Sequence, residues 1–380
     1  MRKRYLGVGQ LPWVPSCVGV FAMLTKADSI MSHVPAETID WLLGEDNPAV
    51  ATLTRRTLLG EASGGGEADA LWGHRNEYPP IAAILADQHD DGTWDTPSRD
   101  YQKYGGSLWQ MHFLGELWAD GDDPRVQLGA KYAFSRQVAD GSWSCNGRPV
   151  RSIQCLTANV GRALARLGFA RDERIVGALR YIVDMQRKHG PLVCSAGGSN
   201  YTINGYCHML APKLLLFLAE VPHDAWPDGA QDVRDAAVAA LRDKQVFRCL
   251  PHGSREFMDL VYSARKADVE TVRNAWLAEH PVREYGDKPG WLRFGFPLSY
   301  NSDVLEALAA LAAVGETRRP EYEPALQVVA DSADAQSRWM MRTSFNDKMR
   351  GKVEKKGQPS KWLTLRALQV LDAFAGEGAA

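Results

Sequence analysis

Four cysteines and a histidine stand where they could hold a metal. Cys145 lies two residues after Trp143, and Cys155 opens the apolar segment that follows. One repeat further along, Cys194 and the pair Cys207-His208 occupy the matching places. Four thiolates, or three with an imidazole, hold zinc tetrahedrally, and four thiolates also hold an iron–sulfur cluster. A helix N-terminus beside a cysteine favours its thiolate. Against this, the sequence has no Cys-x-x-Cys pair, and cysteine is often a small buried hydrophobe. A metal site, buried thiols and a disulfide all stay open. The other candidate is Asp303, a lone acid at the head of an apolar segment. It reads either as a helix N-cap or as a desolvated acid with a raised pKa. His112 and His208 are single histidines in apolar segments and read as hydrogen-bonded core residues.

These residues sit in a chain of ordinary soluble composition. Of its 380 residues 45% are apolar and 24% charged, and the net charge is -2. That balance gives no reason to expect nucleic acid or an anionic membrane as partner. No apolar run reaches the ~20 residues of a membrane span. The remaining cysteines, Cys17 and Cys249, are as widely spaced as the others, which suits a reducing, cytoplasmic setting. Residues 1–35 read as a loose tail or as a start placed too early, with Met31 as the alternative. A basic Met1–Arg4 and an apolar Cys17–Leu24 resemble a weak export signal, but Pro12 and Pro15 interrupt it. Residues 36–380 read as one domain, with an irregular insertion near 247–289.

An internal repeat organises that domain. Gln88-His89-Asp90-Asp91-Gly92-Thr93-Trp94 returns as Gln137-Val138-Ala139-Asp140-Gly141-Ser142-Trp143, an offset of 137 − 88 = 49. A faded copy begins at Gln186, and 186 − 137 is again 49. Between the copies the chain is helical. Pro124–Gln137 and Glu173–Gln186 carry one apolar face each and read as outer helices. Ser107–Trp118, Gln154–Leu167, Ala211–Val221, Ser302–Val314 and Lys361–Phe374 are apolar on most sides and read as inner helices. Ala51–Gly60, Pro80–Gln88 and Tyr322–Trp339 complete about six hairpins as outer members. The expected fold class is therefore all-α.

The repeated Q-x-x-D-G-[ST]-W turn resembles the QW motif of squalene and oxidosqualene cyclases. The resemblance covers roughly residues 40–375, with two clear copies and one faded. It implies an α/α toroid, a double ring of inner and outer helices, as in terpenoid cyclases and protein prenyltransferases. Members of that superfamily hold isoprenoid chains in an aromatic-lined cavity onto which the heads of the inner helices open. Here those heads carry Tyr104, Trp109, His112, Tyr201, Tyr300 and Trp362 as cavity candidates, with Asn204 and Lys361 beside them. The Asp-x-Asp-Asp acid motif of class II cyclases is matched in letters by Asp120-Gly121-Asp122-Asp123. That string lies between an inner helix and Pro124, in a wet loop, where a carboxylate keeps a low pKa and serves as a cap. The Asp-x-Cys zinc motif of prenyltransferases is missing.

The resemblance thus implies an enzyme on a hydrophobic, isoprenoid substrate. Cyclisation or isomerisation would fall to Asp303. Group transfer would use zinc or an iron–sulfur cluster at the cysteines. The rival expectation is a non-catalytic ring that binds a ligand or serves as a scaffold, with or without a structural metal.

Overall fold

The computed structural model describes residues 30–63, 66–146, 148, 152–192, 207, 209–249, 275, 278–279 and 286–375. Cys17, Cys194, Tyr201, Asn204, His208 and most of the 247–289 insertion lie outside these residues. Among the described residues the fold is helical, and its one sheet pairs Arg248–Cys249 with Gly286–Asp287. Among the described residues thirteen α-helices follow in chain order. They are α1 (Ala36–Leu42), α2 (Pro48–Thr57), α3 (Glu67–Gly73), α4 (Pro79–Ala86), α5 (Ser107–Glu116), α6 (Pro124–Ser135) and α7 (Gln154–Leu164). Then come α8 (Glu173–His189), α9 (Leu210–Glu220), α10 (Ala230–Arg242), α11 (Val304–Ala313), α12 (Glu323–Asp331) and α13 (Lys361–Ala373).

The apolar helices form the inside. Every residue of α5 and of α7 is buried, as the lack of a polar face requires. They pack in chain order: α5 on α7, α7 on α9, α9 on α11, α11 on α13. Helix α13 then packs on α2, so the last helix meets the second. The one-faced helices lie outside these, with α6 against α5, α8 against α7, α10 against α9, and α12 against α11. Helix α2 departs from the expected outer role: Pro48 to Thr52 and Thr54 are buried. Helix α12 is also shorter than expected. It stops at Asp331, and Trp339 belongs to the turn beyond it.

Local capping sets the helix starts. Asp123 and Asp172 accept the Arg125 and Arg174 backbone N–H groups at the heads of α6 and α8. Ser360 does the same for Leu363 in α13.

The repeated turn acts as a clasp. Trp94 Nε1 donates to Ile84 O (2.6 Å) on the helix before it. The Trp94 backbone N–H donates to Ser107 Oγ (3.0 Å) on the helix after it. Trp143 repeats both bonds, to Ala133 O (2.8 Å) and Thr157 Oγ1 (3.0 Å). Gln88 and Gln137 reach sideways to Arg125 O (3.0 Å) and Arg174 O (2.8 Å), each in the first turn of the next outer helix. Gly92 and Gly141 have φ of +86° and +89°. A Cβ there would meet Leu128 O at 2.7 Å or Gly177 O at 2.4 Å, so the turn presses directly on the neighbouring helix. In the faded copy, Gln186 Nε2 has no hydrogen-bond partner among the described residues. Arg187 there donates to Asp228 O (3.0 Å) instead.

A further clasp spans 333–339. Trp339 Nε1 donates to Val329 O (2.7 Å) and its backbone N–H to Thr364 Oγ1 (3.0 Å). Ser337, with φ of +58°, stands where the other copies have glycine. This clasp reaches back to the first helix: Thr38 Oγ1 donates to Gln336 O (2.6 Å), and Arg338 Nε donates to Thr38 Oγ1 (3.0 Å). Residues about three hundred positions apart thereby join.

Candidate functional site

Along the buried helices two regions differ in chemistry. At the helix heads the interior is aromatic. Tyr104 packs edge-on to Trp109 at 5.4 Å between ring centroids, and Trp109 edge-on to Tyr300 at 5.1 Å and to His112 at 5.7 Å. Phe345 stacks on Tyr104 at 4.4 Å. Four of the expected cavity residues, Tyr104, Trp109, His112 and Tyr300, are thus brought together. The fifth, Trp362, stacks on Phe296 at 4.6 Å. The sixth, Tyr201, lies outside the described residues.

The segment 294–303 carries much of this cluster. It supplies Phe296 and Tyr300 and ends at Asp303. Leu298 O accepts His112 Nε2–H (2.7 Å), and Ser299 O accepts Asn159 Nδ2–H (3.1 Å). A carbonyl only accepts, so His112 is the Nε2–H tautomer. Its Nδ1 is buried without a hydrogen-bond partner among the described residues. Burial lowers the His112 pKa and keeps the ring neutral.

An open cleft of about 430 Å³ adjoins the cluster, lined by Asp100, Tyr101, Leu108, Arg136 and Cys145 among others. Tyr300 donates its hydroxyl proton to Tyr101 Oη (2.9 Å), which ties the cleft wall to the aromatic cluster. Burial pushes the Tyr101 phenol up to about 12. Asp100 is ion-paired with Arg136 and accepts the Tyr132 hydroxyl.

Asp303 is both things the sequence allowed. It caps α11, with Oδ1 accepting Glu306 N–H (2.7 Å), while Oδ2 accepts Gly295 N–H (3.0 Å). It is also buried, and burial, reinforced by nearby Glu306, raises its pKa to about 7. Asp120 and Asp123 instead hold a loop: Arg75 pairs with Asp120 (2.7 Å), and Asn76 donates to Asp123 (3.0 Å). Burial alone would raise the Asp123 pKa, but the Arg125 and Asn76 hydrogen bonds outweigh it and hold the carboxyl low.

Of the suggested metal ligands, Cys145, Cys155 and Cys207 are thiols outside any disulfide. Cys145 lines the cleft, whereas Cys155 and Cys207 are buried at the heads of α7 and α9. Among the described residues no three metal-ligating side chains converge. Cys194 and His208 lie outside those residues.

At the other end the interior is ionic. Glu116, the last residue of α5, pairs with Arg162 of α7 and lies 4.0 Å from Arg166 and 3.7 Å from Arg366 of α13. Arg166 pairs with Glu220 at the end of α9, with Nε to Oε1 at 2.9 Å. Back at the helix heads, Lys213 in the first turn of α9 grips Glu306 in the first turn of α11 through Nζ–O distances of 2.5 and 2.7 Å. Burial alone would raise the Glu116 pKa, but Arg162 and Arg166 outweigh it and hold it at about 2. None of these charges was singled out from sequence. The available signal was one or two charges inside an otherwise apolar helix, as in SLWQMHFLGE, LAPKLLLFLAE and VLEALAALAA.

No protein-family model matches the chain, and no curated protein does. Among the described residues no helix is long and apolar enough to cross a membrane. Leu59 is their one large exposed hydrophobic side chain.

Proposed function

We propose that the hairpins close into an α/α toroid whose aromatic end takes a hydrophobic, isoprenoid-like ligand, and that the protein is an enzyme on that ligand. Three features support ring closure: the chain-order packing of inner helices, the α13–α2 contact, and the 333–339 clasp on α1. The observation that carries the ligand reading is the meeting of Tyr101, Tyr104, Trp109, Tyr300 and Phe345 beside an open cleft. Rings from three separate segments bring large apolar area to one place, as apolar ligand sites do.

For chemistry the reading relies on Asp303. A carboxyl with a pKa near 7 is in part protonated at neutral pH. Each of its oxygens accepts one N–H and retains a second lone pair. The acid would give its proton to an alkene carbon and take one back from the neighbouring carbon, an isomerisation without net consumption of protons. A non-catalytic receptor is the second reading. It is favoured by the engagement of both Asp303 oxygens with backbone N–H groups, which by itself explains the residue as a cap.

One experiment separates them. Squalene and geranylgeraniol are incubated with the protein in deuterated water, and products are read by mass spectrometry. Isomers carrying one solvent deuteron, lost in Asp303→Asn while binding persists, support the enzyme. Binding without labelled product leaves the receptor. Absence of binding removes both readings.

A further inference from the structure

The cleft beside the aromatic cluster carries a thiol. Cys145 follows the Trp143 clasp, and Ser144 folds the loop around it. Ser144 Oγ accepts the Asn146 and Arg148 backbone N–H groups (3.3 and 2.9 Å). A backbone bridge from Ser144 to Ser152 ties the same loop to the residues that lead into α7. Cys145 is thereby held on the cleft wall and partly exposed, whereas Cys155 and Cys207 are buried. At about 430 Å³ the cleft lies within the size range of small-molecule sites. Pro97 and Leu108 give it an apolar side, Ser98, Arg136 and Asn146 a polar one.

A line of hydroxyls runs from the aromatic cluster to this sulfur. Tyr300 donates to Tyr101 Oη (2.9 Å), so the one proton of the Tyr101 hydroxyl is left for another neighbour. That neighbour is Cys145, to which Tyr101 is hydrogen-bonded. Burial is the main cause that raises both phenols, and nearby Cys145 adds to it, so both stay protonated at neutral pH. A hydrogen bond given to sulfur favours the thiolate, which is the nucleophilic form. The same hydroxyl is a proton donor set directly against the reacting atom.

A thiolate paired with a proton donor suits one class of electrophile. Displacing a halide needs the thiolate alone. Conjugate addition needs both groups: sulfur bonds to the β-carbon, the C=C electron pair moves toward the carbonyl as an enolate, and a proton must reach that enolate. We infer that Cys145 is a site of covalent addition for small α,β-unsaturated carbonyl compounds, with Tyr101 supplying the proton. The proton that the thiol gives up to solvent returns to Tyr101. Thiol and electrophile therefore combine with nothing released and no further reactant. This chemistry is separate from that of Asp303 and does not depend on the isoprenoid reading.

The test compares cyclohexenone with iodoacetamide on the full chain at neutral pH. Adducts are located by peptide mapping, and rates are set against those of N-acetylcysteine. Cyclohexenone is expected to add intact at Cys145, at least tenfold faster than to N-acetylcysteine. Tyr101→Phe, checked for folding by circular dichroism, should slow cyclohexenone at least tenfold more than iodoacetamide, because only the first reagent needs the proton. Three results overturn the inference: adducts at other cysteines only, a Cys145 no faster than N-acetylcysteine, or equal slowing of both reagents in Tyr101→Phe. The comparison with N-acetylcysteine needs no variant, so misfolding of Tyr101→Phe does not remove the test. Failure here leaves the isoprenoid reading untouched.

Discussion

The two ends of the interior are built from the same helices by opposite means. At the helix heads, rings from α5, α13 and the 294–303 segment pack through offset and edge contacts. At the far ends, Glu116, Arg162, Arg166, Glu220 and Arg366 lock α5, α7, α9 and α13 through charge. Aromatic contacts are individually weak, and a ligand of similar shape can replace them. A buried ion network has strict geometry and fails badly when one member is lost. On the proposed reading the ionic end would supply rigidity and the aromatic end ligand contact. Arg366 lies near both Phe296 and Glu116.

The largest effect should come from breaking the ionic end. Glu116→Ala leaves Arg162 and Arg166 with Glu220 alone and Arg366 with no ion-pair partner among the described residues, and should cost about 3–5 kcal/mol, measured by urea denaturation. Affinity for an apolar ligand should hardly change in the folded fraction. If stability hardly moves, the network is not what holds this end together. At the aromatic end, Trp109→Leu should lower apolar-ligand affinity at least tenfold, with a stability cost of about 1–3 kcal/mol. Loss of stability with unaltered affinity would reverse the assignment of roles.

Acid titration separates the ends by sign. Glu116 titrates at about 2 in the fold against an ordinary 4.5, so it stabilises above about 4.5 and that contribution fades as pH falls toward 2. Asp303 is raised from 3.8 to about 7, so its contribution is full below about 4 and is lost as pH rises toward 7. Stability measured from pH 4 to 7 should therefore decline in the parent protein relative to Asp303→Asn, by on the order of a few kcal/mol. A flat difference would mean that Asp303 is ionised throughout.

The smallest effect concerns the clasps that bind both ends to the outer helices. Ser337→Gly relieves a left-handed backbone and should stabilise by about 0.5–1 kcal/mol, read as a higher urea midpoint. Destabilisation there would show that the serine side chain matters more than its backbone strain.

Sequence revealed the clasps wherever the turn kept its full chemistry. Gln88 and Gln137 make the sideways bond, Gly92 and Gly141 the left-handed turn, and Trp94 and Trp143 the tie between helices. The 333–339 clasp was hidden because only its tryptophan remains. Ala333 stands for the glutamine, and Ser337 accepts the positive φ because the surrounding bonds impose it. The capping roles of Asp123 and Asp303 were legible because a cap acts on its own helix. The ionic network was not, since each charge gains its meaning from a helix some fifty or more residues away. The same holds for the 294–303 segment, which has no periodicity and is placed by His112 and Asn159.

Whether the aromatic end holds a greasy molecule is best asked of the protein as purified. Native mass spectrometry of the intact chain, followed by dissociation in the gas phase, should release a stoichiometric apolar molecule that is missing from Trp109→Leu. A protein that emerges bare, and stays bare after incubation with squalene, geranylgeraniol or oleate, contradicts a ligand site between Tyr101, Trp109 and Tyr300.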